Sequence, residues 1–209
     1  IPSQGRGRGY MQLLADPEIR SAIICASTAY GVMLLVMSST PLAVVGLGCT
    51  HGDAADIIMV HVLSMFAPSF VSGALVGRYG ARQISALGLF LLAVAGAINL
   101  GGTALGNFYL ALAVLGVGWN FAFIGATALL SKTHSDQEKG RVQGLNDMIV
   151  AGAIAVSSMG SGLVMSAAGA SVETGWTMTI LAIFTMIAVA AVALYGGRGV
   201  TVSLRTGCA

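Results

Sequence analysis

The residues best suited to bind a solute lie inside long apolar stretches. Trp119 and Asn120 are followed by Phe123 and Thr127, so an amide, a hydroxyl and aromatic rings recur at intervals of three and four residues. On a helix such residues share one face, and this combination suits a planar organic molecule better than a bare ion. The alternative is that Asn120 and Thr127 bond to neighbouring helices, as amides and hydroxyls do in membrane bundles.

Tyr30 and Met37 form a second candidate surface in the first apolar stretch. They share a helical face with Ser27, Leu34 and Pro41, because these residues recur at intervals of three and four. Tyr30 offers a ring and a hydroxyl group, and Met37 offers an adaptable apolar side chain. A Met stripe is also typical of ordinary helix packing, which is the alternative for Met37.

No Asp, Glu, Lys or Arg falls inside a predicted span, and His61 is the one His that does. Such a residue is a functional hypothesis by default, and His titrates nearest to neutral pH, so His61 is a candidate for binding the solute or a proton. The alternative is a neutral imidazole bonded to a carbonyl of a neighbouring helix. A metal site with His51, Asp53 and Asp56 has suitable ligand types, but no recognised spacing supports it, and we expect a solvated loop.

The elements that carry these residues are strongly apolar. Hydrophobic residues make up 56% of the chain, charged residues 9%, and the mean hydropathy is +0.86, which is typical of a polytopic membrane protein. Each span needs about 20 mainly apolar residues, so we predict an all-α bundle of six spans over residues 21–196. A cytoplasmic linker segment (1–20) precedes it and a cytoplasmic tail (197–209) follows it. The predicted spans are about 23–45, 57–76, 84–100, 108–130, 148–168 and 176–195.

Local signals refine these boundaries. Asp16, Pro17 and Glu18 suit the first turn of a short surface helix. Pro68 is predicted to bend the second span, and Asn146 or Asp147 is predicted to cap the fifth.

The distribution of positive charge gives the orientation. All ten Lys and Arg residues fall in the N-terminal segment, the loops after the second and fourth spans, and the tail. Lys and Arg are enriched in cytoplasmic loops. We therefore predict that both termini are cytoplasmic, in a bacterial inner or plasma membrane.

A basic loop between the second and third spans carries a family resemblance through Gly73, Gly77, Arg78, Gly80 and Arg82. It resembles the G-x-x-x-D-R-x-G-R-R loop of the major facilitator superfamily, with Gly77 at the acidic position. Over nearly its whole length the chain resembles the C-terminal six helices of such a twelve-helix transporter. The resemblance implies secondary active transport of a small organic solute by alternating access, coupled to a proton or an ion.

The resemblance also assigns roles to residues and partners. The first and fourth helices of each half line the central cavity, which favours Tyr30 and Asn120. Arg78 and Arg82 are expected to bond to neighbouring helix ends and to act in gating. Glu138, Arg141 and Asp147 are predicted to form a network of partners across the same surface. Anchoring by positive charge alone is the alternative for the arginines.

The partner that the resemblance requires is an N-terminal six-helix half. The chain begins at Ile1 without an initiator Met, so we expect a fragment, although initiation at Met11 is the alternative. No Asp, Glu, Lys or Arg lies inside the predicted spans, so a coupling carboxylate is expected in the other half.

Other classes of function find little support in the sequence. We find no phosphate-binding loop, paired catalytic carboxylates or nucleophile with a base, and we expect no enzymatic activity, no cofactor and no nucleic-acid partner. The rival prediction is a self-contained six-helix protein that works as a homodimeric channel or a membrane scaffold.

Overall fold

The structure is a computed structural model that describes residues 8–167 and 172–196. Every regular element in these residues is an α-helix. In chain order the helices are α1 (Tyr10–Ala15), α2 (Pro17–Gly46), α3 (His51–Phe66), α4 (Ser69–Tyr79), α5 (Ala81–Leu100), α6 (Leu105–Leu130), α7 (Lys139–Ala167) and α8 (Val172–Gly196).

Five of these helices are long and apolar enough to cross a membrane, namely α2, α5, α6, α7 and α8. Helices α3 and α4 meet the same criteria only as a pair, and they are bent by 42° relative to each other. If this pair is one span, the described residues contain six spans. The predicted class, an all-α membrane protein, is confirmed.

The bend between α3 and α4 lies at Ala67 and Pro68. Proline has no N–H to donate to the carbonyl four residues earlier, and its ring crowds that carbonyl. The Pro68 carbonyl then accepts from Val71 and Ser72 at 3.0 and 2.9 Å, which starts α4. The bend that the sequence indicated is therefore a break between two helices.

Every predicted span begins earlier than the sequence indicated, and at α2 and α7 the earlier start changes the role of the residues expected there. Asp16 caps α2 by accepting from the Glu18 N–H at 3.0 Å, and Pro17 occupies the first turn. The surface helix predicted at these residues is instead the start of the first span. Helix α7 begins at Lys139, so Asp147 lies two turns inside it and caps nothing, which corrects the prediction for the fifth span.

The bundle is built around α2 and α6. Helix α2 packs against α6, α7 and α8, and α6 also packs against α3 and α5. Gly88 and Gly125 bring α5 and α6 into backbone contact, because a Cβ at Gly88 would fall on the backbone of Ala122 and one at Gly125 would fall on Ser85. Such close approach replaces the hydrophobic driving force that is absent between helices in lipid.

Candidate solute-binding site

One side of α2 stays partly exposed although most of this central helix is buried. The partly exposed residues include the predicted face of Ser27, Tyr30, Leu34, Met37, Ser38 and Pro41. Polar side chains that face lipid are costly, so hydroxyl groups on this side indicate a surface covered by water or protein. We call this side the polar face of α2.

Another side of α2 faces an apolar groove. Leu35 lies five residues from Tyr30, roughly 140° around a helix of 3.6 residues per turn. It lines a groove of about 550 Å³ between α2, α7 and α8, together with apolar residues such as Ile149 and Val156. This lining suits lipid chains, so the polar face is the better candidate for a solute.

Three predicted site residues meet at the polar face. The Tyr30 ring lies edge-on to Trp119, with ring centroids 5.1 Å apart, and edge-on to Phe123 at 5.0 Å. Trp119 and Phe123 are stacked on each other at 5.3 Å with an interplanar angle of 12°. Tyr30 and Phe123 are half-buried, and they join the first and fourth spans. We call this group the aromatic cluster.

Asn120 points away from the aromatic cluster towards the break in the second span. Its Nδ2 donates to the Met65 carbonyl of α3 and to Ser69 Oγ of α4, both at 2.8 Å. The side chain is 1% exposed, and Oδ1 is buried without a partner in the described structure. This geometry favours the alternative role of Asn120, the linking of helices.

His61 is likewise enclosed between helices. It is fully buried, and its Nδ1 lies 2.9 Å from the Leu112 carbonyl of α6. A carbonyl accepts only, so Nδ1 carries a proton, and Nε2 is buried without a partner in the described structure. This contact is the one that the alternative interpretation of His61 predicted.

Thr127 and Met37 lie at the margins of the site. Thr127 is exposed near the C-terminal end of α6, and Met37 is half-buried two turns beyond Tyr30 on the polar face. Both residues lie on the helix faces predicted for them. Within the described residues, neither makes a ring contact or a hydrogen bond with the aromatic cluster.

Asp147 lies inside α7, a position that the sequence analysis did not find. Its Oδ1 accepts from Gln143 Nε2 at 2.9 Å and from Asn146 Nδ2 at 3.0 Å. The carboxylate is exposed. The signal that could have located it is the run of Val142, Leu145 and later apolar residues with helical spacing, which starts before the predicted span.

The basic loop meets helix ends through Arg82. Its Nη1 donates to the Leu194 carbonyl near the end of α8 at 2.9 Å, and its Nη2 pairs with Glu18 in the first turn of α2 at 2.6 Å. Arg78 is exposed, lies over the neighbouring Tyr79 ring at 5.4 Å, and bonds to no other helix in the described residues. The expected contact with helix ends is therefore present for Arg82 and absent for Arg78.

The glycines of this loop have different structural roles. Gly80 joins α4 to α5 with a φ of 92°, a conformation that side chains disfavour. Cβ atoms added at Gly73 and Gly77 would meet nothing within 4 Å in the described structure. These two glycines therefore do not bring helices together within this bundle.

The predicted network of Glu138, Arg141 and Asp147 is organised around Arg8. Arg8 donates from Nε and Nη2 to the two Glu138 oxygens, each at 3.0 Å, and from its backbone N–H at 2.8 Å. These hydrogen bonds lower the pKa of Glu138 to about 2. Arg141 donates to the Arg8 carbonyl at 3.3 Å. Asp147 is not part of this network, which corrects the prediction, because its partners are Gln143 and Asn146.

The metal site considered above would involve His51, Asp53, Asp56 and His61. The Asp53 carboxylate accepts from the Thr50 N–H in the capping box that starts α3, and His61 faces α6. No three His, Cys, Asp or Glu side chains converge to hold an ion within the residues that the structure describes.

Comparison with known proteins identifies the family. No protein-family profile matches the chain. It is 39% identical to the riboflavin transporter RfnT of Brucella anthropi over 188 residues, which are 90% of this chain and 46% of that protein. It is 30% identical over 165 residues to the MFS-type transporter YdeG of Bacillus subtilis, covering 76% and 38% of the two chains. A second Bacillus subtilis protein, the MFS-type transporter YddS, is 29% identical over 137 residues, covering 65% and 31%.

These relatives also define how much of the family fold is present. The chain spans about a third to a half of their lengths. They are named as transporters and not as enzymes, in agreement with the prediction, and the apolar helices agree with an integral multi-pass membrane protein. Together with the resemblance of the basic loop and the helical bundle, they show that the chain belongs to the major facilitator superfamily of membrane transporters.

Proposed function

We propose that the chain forms one six-helix half of a secondary transporter that moves a planar heteroaromatic solute by alternating access. The observation that carries this proposal is the aromatic cluster, which joins the first and fourth spans on the polar face. Trp119, Phe123 and Tyr30 have their ring centroids within 5.3 Å of one another. Aromatic residues with a few polar groups are typical of sites for flat organic ligands.

The proposed solute is a flavin, of which riboflavin is the simplest candidate. A relative that is 39% identical over 90% of this chain is named as a riboflavin transporter. A flavin ring system is flat and aromatic and can pack against the half-buried rings of Tyr30 and Phe123. Met37 and Thr127 are proposed to line the same cavity, whereas Asn120 and His61 support it from within the bundle.

Coupling and gating complete the proposal. Transport is coupled to a proton or ion gradient, and the other six-helix half completes the cavity. Arg82 ties the inner ends of α2, α5 and α8 together through Glu18 and the Leu194 carbonyl, which supports a role at the cytoplasmic gate. Both termini are proposed to be cytoplasmic.

The test is riboflavin uptake by a riboflavin-auxotrophic bacterium that expresses the natural full-length protein. Phe123→Ala is expected to lower uptake about tenfold, because a lost aromatic contact of about 1.4 kcal/mol corresponds to a factor of ten. Phe90→Ala is the matched control, since Phe90 is 63% exposed on α5, and it should retain normal uptake. Protein levels are compared by immunoblot.

Two further observations decide the proposal. Uptake should saturate with riboflavin concentration and collapse when a protonophore or removal of sodium dissipates the driving gradient. Normal uptake by the Phe123→Ala variant would remove the aromatic cluster from the site, and uptake that does not saturate would favour a channel.

A further inference from the structure

We propose that the ends of α5, α6 and α8 beside the basic loop form a binding site for the headgroup of an anionic phospholipid. This site lies apart from the aromatic cluster, and the inference goes beyond the proposed function. It is carried by a cavity with a polar lining, by a lysine in that lining, and by the exposed apolar surface that continues from the cavity.

A cavity of about 390 Å³ opens to the surface where these helices begin or end. Its lining joins the end of α4, the first turn of α5, the loop after α6 and the last turn of α8. The polar side chains in this lining are Tyr79, Arg82, Gln83, Lys132 and Tyr195. Pockets for organic ligands have volumes of about 300 to 1,000 Å³, so the cavity is large enough for a phospholipid headgroup.

The cavity lies at the level where a membrane meets water. Helices α5, α6 and α8 are each long and apolar enough to span a membrane, and the cavity is at their ends. Tyr79 and Tyr195 in its lining are about half exposed. Tyrosine is enriched at membrane–water interfaces, with its ring at the level of the headgroups. The cavity is therefore within reach of the headgroup layer.

Lys132 gives the cavity a positive charge that no carboxylate neutralises in the described part of the chain. Lys132 is exposed, and the ion pairs found among the described residues do not include it. Arg82 also lines the cavity, but it is paired with Glu18. Arg78 adds a second exposed cation nearby, because its guanidinium group lies over the Tyr79 ring. Basic pockets between spanning helices are typical of sites for anionic lipid headgroups.

The lining also offers hydrogen-bond donors to a phosphate group. The Tyr79 and Tyr195 hydroxyls and the Gln83 amide can each donate a hydrogen bond, and none of them bonds to another residue within the described structure. Gly80 precedes α5 and has no side chain to cap the first turn, which adds the positive end of a helix dipole beside the lysine. These donors and the charge of Lys132 together favour a phosphodiester anion.

Exposed apolar surface continues from the cavity along two of its helices. On α5, Leu87 lies one turn after Gln83 and is 41% exposed, and on α8, Val192 lies one turn before Tyr195 and is 71% exposed. Residues three or four positions apart share a helix face. Acyl chains can therefore lie along α5 and α8 while the headgroup occupies the cavity. This continuity favours a phospholipid over a soluble phosphate.

The experiment measures thermal unfolding of the natural full-length protein, purified in an uncharged detergent, as phosphatidylglycerol is added. A ligand that binds the folded state raises the unfolding temperature, and the lipid concentration that gives half of the rise reports the affinity. Phosphatidylglycerol is expected to act at a concentration about fivefold lower than phosphatidylcholine with the same acyl chains, since one Lys or Arg contributes about this factor towards anionic lipid. Glycerol 3-phosphate, which has the charge without the chains, should not stabilise the protein at these concentrations.

Matched variants assign the effect to the cavity. Lys132→Gln removes the positive charge and should raise the half-maximal concentration of phosphatidylglycerol about fivefold. Lys132→Arg keeps the charge and should retain the wild-type value. Lys139→Gln removes an exposed cation at the same end of the bundle that does not line the cavity, and it should behave as wild type. Phosphatidylcholine should stabilise all of these proteins equally.

Several results would overturn the lipid site. Equal changes for Lys132→Gln and Lys139→Gln would indicate a general attraction of lipid to the basic end, and equal action of the two lipids on the wild-type protein would exclude recognition of charge. Stabilisation by glycerol 3-phosphate at the concentrations used for the lipid would make the cavity a site for small anions. None of these measurements depends on uptake, so a protein that binds the lipid but does not transport riboflavin would overturn the proposed function and leave this inference intact.

Discussion

The amide of Asn120 holds together the two parts of a broken span. Pro68 deprives the second span of a backbone hydrogen bond, and Asn120 bonds to Met65 before the break and to Ser69 after it, both at 2.8 Å. A buried carbonyl that loses its partner is costly. An Asn inside a span could also bind the solute, and residue type alone does not separate that role from the linking of helices. The contacts of Asn120 separate the two roles.

Asn120→Ala is expected to lower the stability of the protein without changing its affinity for the solute. The variant leaves the Met65 carbonyl and Ser69 Oγ without their partner, which costs about 1 to 3 kcal/mol. Thermal unfolding of the purified protein in detergent should therefore shift to a lower temperature, while the KM for uptake stays within about twofold, less than the factor expected for one lost contact.

Ser69→Ala provides the control for this prediction. It removes one of the two bonds, and the double variant should lose less stability than the sum of the single variants, because the two side chains interact directly. A raised KM for Asn120→Ala with unchanged thermal stability would instead make Asn120 a solute ligand.

The helices α5 and α6 depend on glycine at their crossing. A Cβ at Gly88 would fall on the backbone of Ala122, whereas one at Gly152 of α7 would meet nothing within 4 Å. Gly88→Ala is expected to destabilise the protein by about 1 to 3 kcal/mol, because the helices must move apart. Gly152→Ala should be neutral or stabilising by up to about 1 kcal/mol, since Ala favours a helix over Gly. Thermal unfolding in detergent compares them, and equal shifts for both variants would contradict the close crossing.

Hydropathy predicted the helices but not where they begin. The apolar cores of the spans were visible because lipid requires a continuous apolar length. The starts of α2 and α7 were not, since polar residues such as Glu18 and Asn146 can continue a helix beyond the apolar core. This error concealed the position of Asp147, which lies inside α7 although it precedes the predicted span.

The sequence predicted only part of the candidate site. Tyr30, Trp119 and Phe123 could be selected because their types and helical spacing are visible in the sequence. Whether a polar group faces the cavity or a neighbouring helix depends on how the helices are rotated about their axes. His61 and Asn120 illustrate this, because each is polar and intramembrane, yet each bonds to another helix.

Within residues 8–167 and 172–196, the positive charges and the ion pairs lie at one end of the bundle. Arg82 with Glu18, and Arg8 with Glu138 and Asp16, all lie at the end where α2 and α7 begin. The loop between α2 and α3, at the other end, carries no Lys or Arg and contains Cys49. By the enrichment of Lys and Arg in cytoplasmic loops, Cys49 should face the outside.

Native cysteines can test this orientation in intact cells. Cys49 is partly exposed, whereas Cys25 is buried within α2, and both are free thiols. In a background in which Cys208, which lies outside the described residues, and any cysteine in the rest of the natural protein are changed to Ser, a membrane-impermeant maleimide added to whole cells is expected to label the protein at Cys49. The additional change Cys49→Ser should abolish that labelling, because Cys25 is inaccessible.

A cysteine at the opposite end provides the matched control. Lys132 lies in the exposed loop after α6, so Lys132→Cys combined with Cys49→Ser should be labelled in inside-out vesicles and not in intact cells. The reverse pattern, with Cys49 labelled only in inside-out vesicles, would place both termini outside. It would also move the Arg82–Glu18 pair to the outer side of the membrane, where it could not act in a cytoplasmic gate.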